Sequence, residues 1–335
     1  DQDYSGKTTE PVEFLAEAEQ VTAILPINNQ AVRVSDQDIA PVESLKLYWT
    51  DRHVEGAYSP QLLDFVKPRL ESYLLSATHL NSFLDVSRGG PADFFVNSIL
   101  KFPKAPSSDG QFGSAIHETL ESVQYYLSKH HELPELNTIN EMFETKLKQK
   151  KLSETEYNRL KNRGAEALKK FMPHWQHNFI PGAQSEFPFL HEGVFVGDAH
   201  LNGKIDQILS DNDTKQVRVV DFKTGKPLEK WKKEVQSHKY QNQLIFYKLL
   251  VENSHSFKNH EVDEAKLVFV EPDSLTEKMH ELEIEYKPEE VVRLEKIIQA
   301  VWARIMNLDF PDVSQFSPNY KGMIDFENWL IENSS

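Results

Sequence analysis

Residues 218–226, "RVVDFKTGK", constrain the fold more than any other stretch of the chain. Two valines lead into an acid, an aromatic and a lysine, and a Gly-containing turn closes the run. This is the pattern of a buried strand. Side chains two residues apart on a strand share a face, so Asp221 and Lys223 project together. Read alone, the pair is either a structural ion pair at a strand end or part of a site.

A second strand repeats the situation. In "LNGKIDQIL" Asp206 stands among Ile205 and Ile208. A carboxylate in an apolar strand is costly unless it is paired or bound to a metal. A hairpin through "SDNDTK" brings Asp206 and Asp221 together. Two carboxylates that close repel, and a divalent cation makes both ionised forms favourable. By the same argument, removing either one relieves repulsion and leaves stability unchanged or higher.

The surrounding pattern is α/β. From "LSATHLNSFL" to about residue 180 the chain reads as mostly helical, including "FGSAIHETLESVQYYLSKHH" and "SETEYNRLKNRGAEALKKFMPHW". Ser153 and Glu156 mark the second as a capping-box start. Near residue 184 the period changes. "QSEFPFL", "GVFVGDAHLNGKIDQILS" and "QVRVVDFK" read as successive strands of a meander. The helix "SHKYQNQLIFYKLLVENS" follows, then strands "EAKLVFVEP" and "KMHELEIEY", then the amphipathic helix "PEEVVRLEKIIQAVWARIMN". The tail "SPNYKGMIDFENWLIENSS" reads as polar and turn-rich.

Other features narrow the chemistry. The chain has no cysteine, which removes disulfides, thiolate zinc sites and cysteine nucleophiles. That usage fits a cytoplasmic protein. It leaves oxygen and imidazole as metal ligands, which favours Mg2+ or Mn2+. The net charge of −15 argues against a simple electrostatic nucleic-acid binder. A local basic strip, "KPLEKWKKEVQSHK" at 226–239, runs against that background and reads either as a solvated helix face or as a strand-binding surface. No apolar run has the ~20 residues of a membrane span. The opening "DQDYSGKTTE" lacks Met and reads as a fragment of a longer polypeptide. Its "SGKTT" lacks the upstream glycine and strand of a phosphate-binding loop. The histidines of "HKYQ" and "KHHE" read as surface groups.

His117 in "GSAIHETLE" follows the small residues Gly113, Ser114 and Ala115, and a lone helical histidine is more often structural. Gln243 and Tyr247 in "QNQLIFY" are four apart and share a helix face. Neither feature points to a site by itself.

Taken in order, "GSAIHE", "GKIDQI", "VVDFKTGK" and "QLIFY" resemble the motifs of the RecB and AddB nuclease domain family within the PD-(D/E)XK superfamily. The upstream "LSATHLNSFLDVSRGGPADFF" is most similar to the C-terminal nuclease region of UvrD/Rep-type helicases. The resemblance implies a restriction-endonuclease-like α/β core, a mixed central sheet flanked by helices, with a largely helical N-terminal lobe. It divides the chain into a lead-in at 1–74, compatible with the end of a helicase portion, a nuclease domain at 75–320 and a C-terminal tail at 321–335.

The resemblance also implies roles. His117, Asp206 and Asp221 match the metal ligands, with the Phe222 carbonyl as a further oxygen. Lys223 matches the catalytic lysine. Gln243 and Tyr247 match the pair that supports the site and the DNA path, and Lys226 falls beside that path. Glu186 in "QSEFPFL" stands where some members carry another acid. The four cysteines that hold an iron–sulfur cluster in AddB-type members are absent, so no cluster is expected. The implied activity is metal-dependent hydrolysis of DNA within a helicase–nuclease. The alternative is a non-catalytic DNA-binding or scaffolding module of such a machine.

Overall fold

The computed structural model describes residues 60–103 and 106–333, with side chains from residue 63. The expected lead-in, apart from residues 60–74, and "SGKTT" lie outside the described residues. Helix α1 spans Pro60–Glu71 and α2 spans Ala77–Leu84. Ser76 caps α2 by accepting the His79 N–H at 3.2 Å. The short helix α3, Gly90–Phe94, continues into a wider π turn at Phe95–Ile99.

Three long helices form the helical lobe: α4 (Ser108–His130), α5 (Leu136–Lys148) and α6 (Glu154–Trp175). Ser153 caps α6, with its hydroxyl on the Glu156 N–H. The Glu156 carboxylate goes to Arg159 at 2.7 Å, so only half of the expected capping box forms. Gly164 lets α6 approach α5 closely; a Cβ there would stand 2.2 Å from the Phe143 ring.

The strands follow as β1 (Gln184–Pro188), β2 (Val194–Val196), β3 (Ala199–Leu201), β4 (Lys204–Ser210) and β5 (Gln216–Lys223). Helix α7 (Val235–Glu252) precedes β6 (Glu261–Phe269) and β7 (Glu281–Glu283). Helices α8 (Pro288–Met306) and α9 (Tyr320–Glu332) close the described chain. The main sheet has the order β1-β4-β5-β6-β7. Only β5 and β6 run parallel, joined by the crossover through α7; the other neighbours are antiparallel. This is the mixed sheet flanked by helices that the motifs imply.

Two expectations are corrected. The segments 184–223 are not a simple meander. Strands β2 and β3 leave the main sheet as a separate ribbon, and β1 pairs directly with β4. The tail is also not turn-rich. Residues 320–332 form α9, capped by Asn319, with Met323, Phe326 and Leu330 fully buried. Its polar letters hide an i, i+3, i+7 apolar stripe that has meaning only against a partner surface.

Alternation along β5 divides the core. Val217 and Val219 face α2, α7, α8 and α9, packing with Leu244, Phe246 and Val301. Val220 and Phe222 face the helical lobe with Phe112, Ile116, Phe171 and Trp175. The Phe222 ring meets Phe171 and Trp175 edge-on, at 5.9 and 6.1 Å between centroids. Asp221 and Lys223 share the parity of Val219, so they point toward α7. Among the described residues no helix is long and apolar enough to cross a membrane.

Candidate active site

The site forms where β4 and β5 part. Their ladder runs from Ser210–Val217 to Gln207–Val220. Beyond it the Asp206 side chain takes over a ladder role, accepting the Phe222 N–H on Oδ2 at 2.7 Å. Asp206 Oδ1 faces His117 Nδ1 at 3.2 Å. His117 comes from α4 across the sheet edge.

Glu186 joins from β1. Its neighbours pair in regular register, Ser185 with Gln207 and Phe187 with Ile205, so Glu186 stands opposite Asp206. Its φ is +53°, a left-handed conformation that costs a non-glycine residue of order 1 kcal/mol. Glu186 Oε1 lies 3.7 Å from His117 Nδ1, and its other oxygen pairs with Lys204. His117, Glu186 and Asp206 each offer a ligand atom, all within 4.8 Å of one another. Glu186, at a position where the resemblance implies a further acid, lies in this cluster. Lys204 has no role in the sequence reading, yet it lies two residues before Asp206, a spacing that could have flagged it.

Asp221 stands in a second, drier group. Tyr247 Oη donates to Asp221 Oδ1 at 2.9 Å, and Gln243 Nε2 donates to the same oxygen at 2.9 Å. Gln243 Nε2 also reaches Tyr247 Oη at 2.7 Å, while Gln243 Oε1 accepts from Lys223 Nζ at 2.7 Å. Lys223 Nζ lies 2.7 Å from Asp221 Oδ2 and 4.8 Å from the centre of the Tyr240 ring. The ammonium meets Oδ2 as an off-axis ion pair. That oxygen is buried and accepts no aligned hydrogen bond.

The electrostatics follow from burial opposed by charge. Burial disfavours the His117 imidazolium, but the Asp206 and Glu186 carboxylates outweigh it and raise its pKa to about 10. Burial and the nearby Asp221 charge push Asp206 above the usual carboxylate range. For Glu186, burial works upward and is overcome by His117 and Lys204, which hold it low. Burial also opposes the Lys223 ammonium, and Asp221 more than restores it. Burial, then the Asp221 charge, raises the Tyr247 phenol well above its ordinary value.

This arrangement fits a divalent cation. The donors are hard oxygens and one imidazole, the set that suits Mg2+ or Mn2+. Asp221 keeps one buried oxygen without an aligned donor. Two protein cations, His117 and Lys223, neutralise the carboxylates. A ligating histidine must be neutral, so His117 would give up its proton to a metal.

The structure gives the surroundings of the other residues singled out in the sequence. Tyr247 is 5% exposed and its hydroxyl is spent on Asp221. Its hydroxyl orients the carboxylate from the α7 face that packs against the sheet. Gln243 likewise uses both ends of its amide inside the group. Phe222 turns its ring into the helical lobe, and its N–H is the group held by Asp206. Lys226 is exposed, as are Lys230, Lys232 and Lys233. All four precede α7 in the connection after β5, so they do not form a helix face. His238, read as a surface group, is instead half-buried and pairs at 2.7 Å with the fully buried Glu327 of α9.

Arg163 was not legible from its segment, where it is one of several basic residues on a polar helix face. It chelates Glu271 through Nε and Nη2 at 2.8 and 2.7 Å. It also donates to Asp109 at 2.6 Å and to the Thr224 carbonyl at 3.3 Å. It thereby ties α6, the start of α4 and the residue after Lys223 into one unit. Gly113 permits the same approach, since a Cβ there would lie 2.9 Å from Thr224 Oγ1.

No curated protein sequence matches the chain. The family model described as PD-(D/E)XK nuclease superfamily matches residues 74–320. That span contains every element that brings a side chain to the acidic cluster, and by this match the chain belongs to the PD-(D/E)XK nuclease superfamily.

Proposed function

We propose that this chain is a Mg2+- or Mn2+-dependent deoxyribonuclease domain, RecB-like, acting within a helicase–nuclease in DNA repair or recombination. The observation that carries the enzymatic reading is the complete polar group around Asp221, with Lys223 held beside it by Gln243. A non-catalytic module would have no need to keep a half-buried ammonium pointed at a buried carboxylate oxygen that lacks an aligned donor. The motif order supports the helicase association, with the helicase in the same polypeptide or in a partner subunit. The absence of cysteine fits a cytoplasmic setting.

His117, Asp206 and Asp221 would hold the cation, with Glu186 beside them and the Phe222 carbonyl as a further oxygen. A divalent cation there would supply Lewis-acid polarisation of a phosphate oxygen and acidify water. Lys223 stands where its ammonium orients the attacking oxygen and offsets charge growing on the phosphoryl group. Gln243 fixes that ammonium by accepting a hydrogen bond from it. Tyr247 fixes the Asp221 carboxylate. The exposed lysines of residues 226–233 hold the backbone of the strand without reading its bases.

The deciding experiment compares single- and double-stranded DNA, with free and blocked ends, in Mn2+, Mg2+ and chelator. Asp221→Ala is expected to abolish cleavage and to weaken Mn2+ binding in calorimetry. It is also expected to lower stability by about 3 kcal/mol, because Lys223, Gln243 and Tyr247 lose their shared partner in a buried site. The relief of repulsion anticipated from the two carboxylates is outweighed. Unchanged cleavage in this variant refutes the site.

Arg163 acts at one remove. Arg163→Gln is expected to slow single-turnover cleavage roughly 10–100-fold, the scale of a small misplacement of reacting groups. Mn2+ affinity is expected to hold, since no ligand is touched, and Arg163→Lys should rescue only part because it cannot chelate Glu271 in a fork. A loss that tracks melting temperature alone would reduce Arg163 to a structural tie.

A further inference from the structure

We propose that the turn between α5 and α6, residues 146–151, is a second phosphate-binding strip for the DNA strand held at the metal cluster. This rests on the nuclease reading above and extends it to a segment outside the family motifs. The turn reads "KLKQKK", four lysines with no acid in a chain of net charge −15. Lys146 and Lys148 lie in the last turn of α5, where cations complement the helix dipole. That accounts for those two positions but not for Lys150 and Lys151, which lie beyond the helix.

The turn is latched to the helix that carries His117. Lys150 Nζ reaches Glu118 Oε1 at 2.6 Å and Ser114 Oγ at 2.9 Å. Gln111 Nε2 donates to the Lys151 carbonyl at 3.2 Å. With Lys150 folded inward, Lys148 and Lys151 are left exposed, and neither enters an ion pair among the described residues.

The other side of the same α4 segment meets the second lysine run. Gly113 abuts Thr224, and Arg163 joins Asp109 to the Thr224 carbonyl. Two residues on begins the loop with Lys226, Lys230, Lys232 and Lys233. That loop is held in place: Trp231 Nε1 donates to the Glu283 carbonyl at 2.8 Å, and the Lys232 N–H to Ser237 Oγ at 2.9 Å. The first three turns of α4 thus carry His117 between two anchored basic segments. A strand whose phosphate lies at the cluster has lysines on both flanks. Lysines on flexible stems neutralise phosphates as point charges, which suits a path that tolerates any sequence.

The test uses the full chain, fluorescent oligothymidylates of increasing length, and the double variant Lys148→Gln/Lys151→Gln. Binding is measured in Ca2+ across a salt series. Two lost phosphate contacts are expected to lower the slope of log K against log salt by about 1.4 and to weaken binding of long strands roughly tenfold. Strands too short to span both segments are expected to lose nothing. In Mg2+ the loss is expected in KM and not in kcat. Lys148→Arg/Lys151→Arg should bind like the parent. An unchanged slope and affinity in the Gln variant, with the parent binding normally, removes the strip and leaves the nuclease reading standing. A parent chain that binds no strand of any length overturns both.

Discussion

Lys223→Ala is expected to lose at least ~10²–10³-fold in cleavage rate, the effect of removing one preorganised charge from a transition-state environment. The more informative result is in metal binding. Lys223 neutralises Asp221 in the structure, so the ammonium competes with a cation for that carboxylate. Removing it is expected to leave Mn2+ affinity unchanged or raised, while the metal-free protein melts lower because the buried Asp221 side chain loses its ion-pair partner. Added Mn2+ should restore part of that stability, because a ligand that binds only the folded state stabilises it. Calorimetry and melting curves with and without Mn2+ separate these effects. If Mn2+ affinity collapses along with activity, Lys223 is a structural support of the ligand set and not a catalytic group.

Gly322→Ala is expected to produce a large loss of stability far from the chemistry. Gly322 lies in the first turn of α9, where its N–H is capped by Asn319 at 3.1 Å. A Cβ there would stand 1.9 Å from the Ser317 carbonyl oxygen and 2.7 Å from its carbon. Those are backbone atoms, so no side-chain rotation relieves the overlap. The helix start must move, and with it Met323 and Phe326, both fully buried. Overpacking of this kind costs about 3 kcal/mol, or roughly 5–10 °C in melting temperature for a domain of this size. Glu327 on the same helix holds His238 and Arg293 at 2.7 and 3.0 Å, so displacement of α9 also uncovers a buried charge. A melting temperature within a degree of the parent would show that α9 is peripheral to the fold.

The strand motif around Asp221 was legible because a strand has a period of two. Val219, Asp221 and Lys223 share a face whatever the rest of the chain does. The i, i+4 spacing of Gln243 and Tyr247 placed them together on one helix for the same kind of reason. What that face would meet was not legible. The resemblance implied support of the site, and α7 packed over β5 gives that support its form: both side chains donate to Asp221. The polar lettering of residues 317–335 concealed α9, because a stripe of Met323, Phe326 and Leu330 stands out only when the surface that buries it is known. The β2–β3 ribbon escaped because alternation identifies strands but not their partners.

The sequence by itself determined the local directions: which side chains share a strand face, which share a helix face, and that two acids sit where water is scarce. Those follow from backbone geometry, which is the same in every chain. The resemblance named His117 and Glu186 for the site, but only the tertiary structure decided how Glu186 meets Asp206, how His117 reaches them from α4, the tie made by Arg163 and the flanking of α4 by two lysine runs. Each joins segments separated by tens of residues. Their meeting depends on how helices settle on the two faces of a twisted sheet, and no local period encodes that.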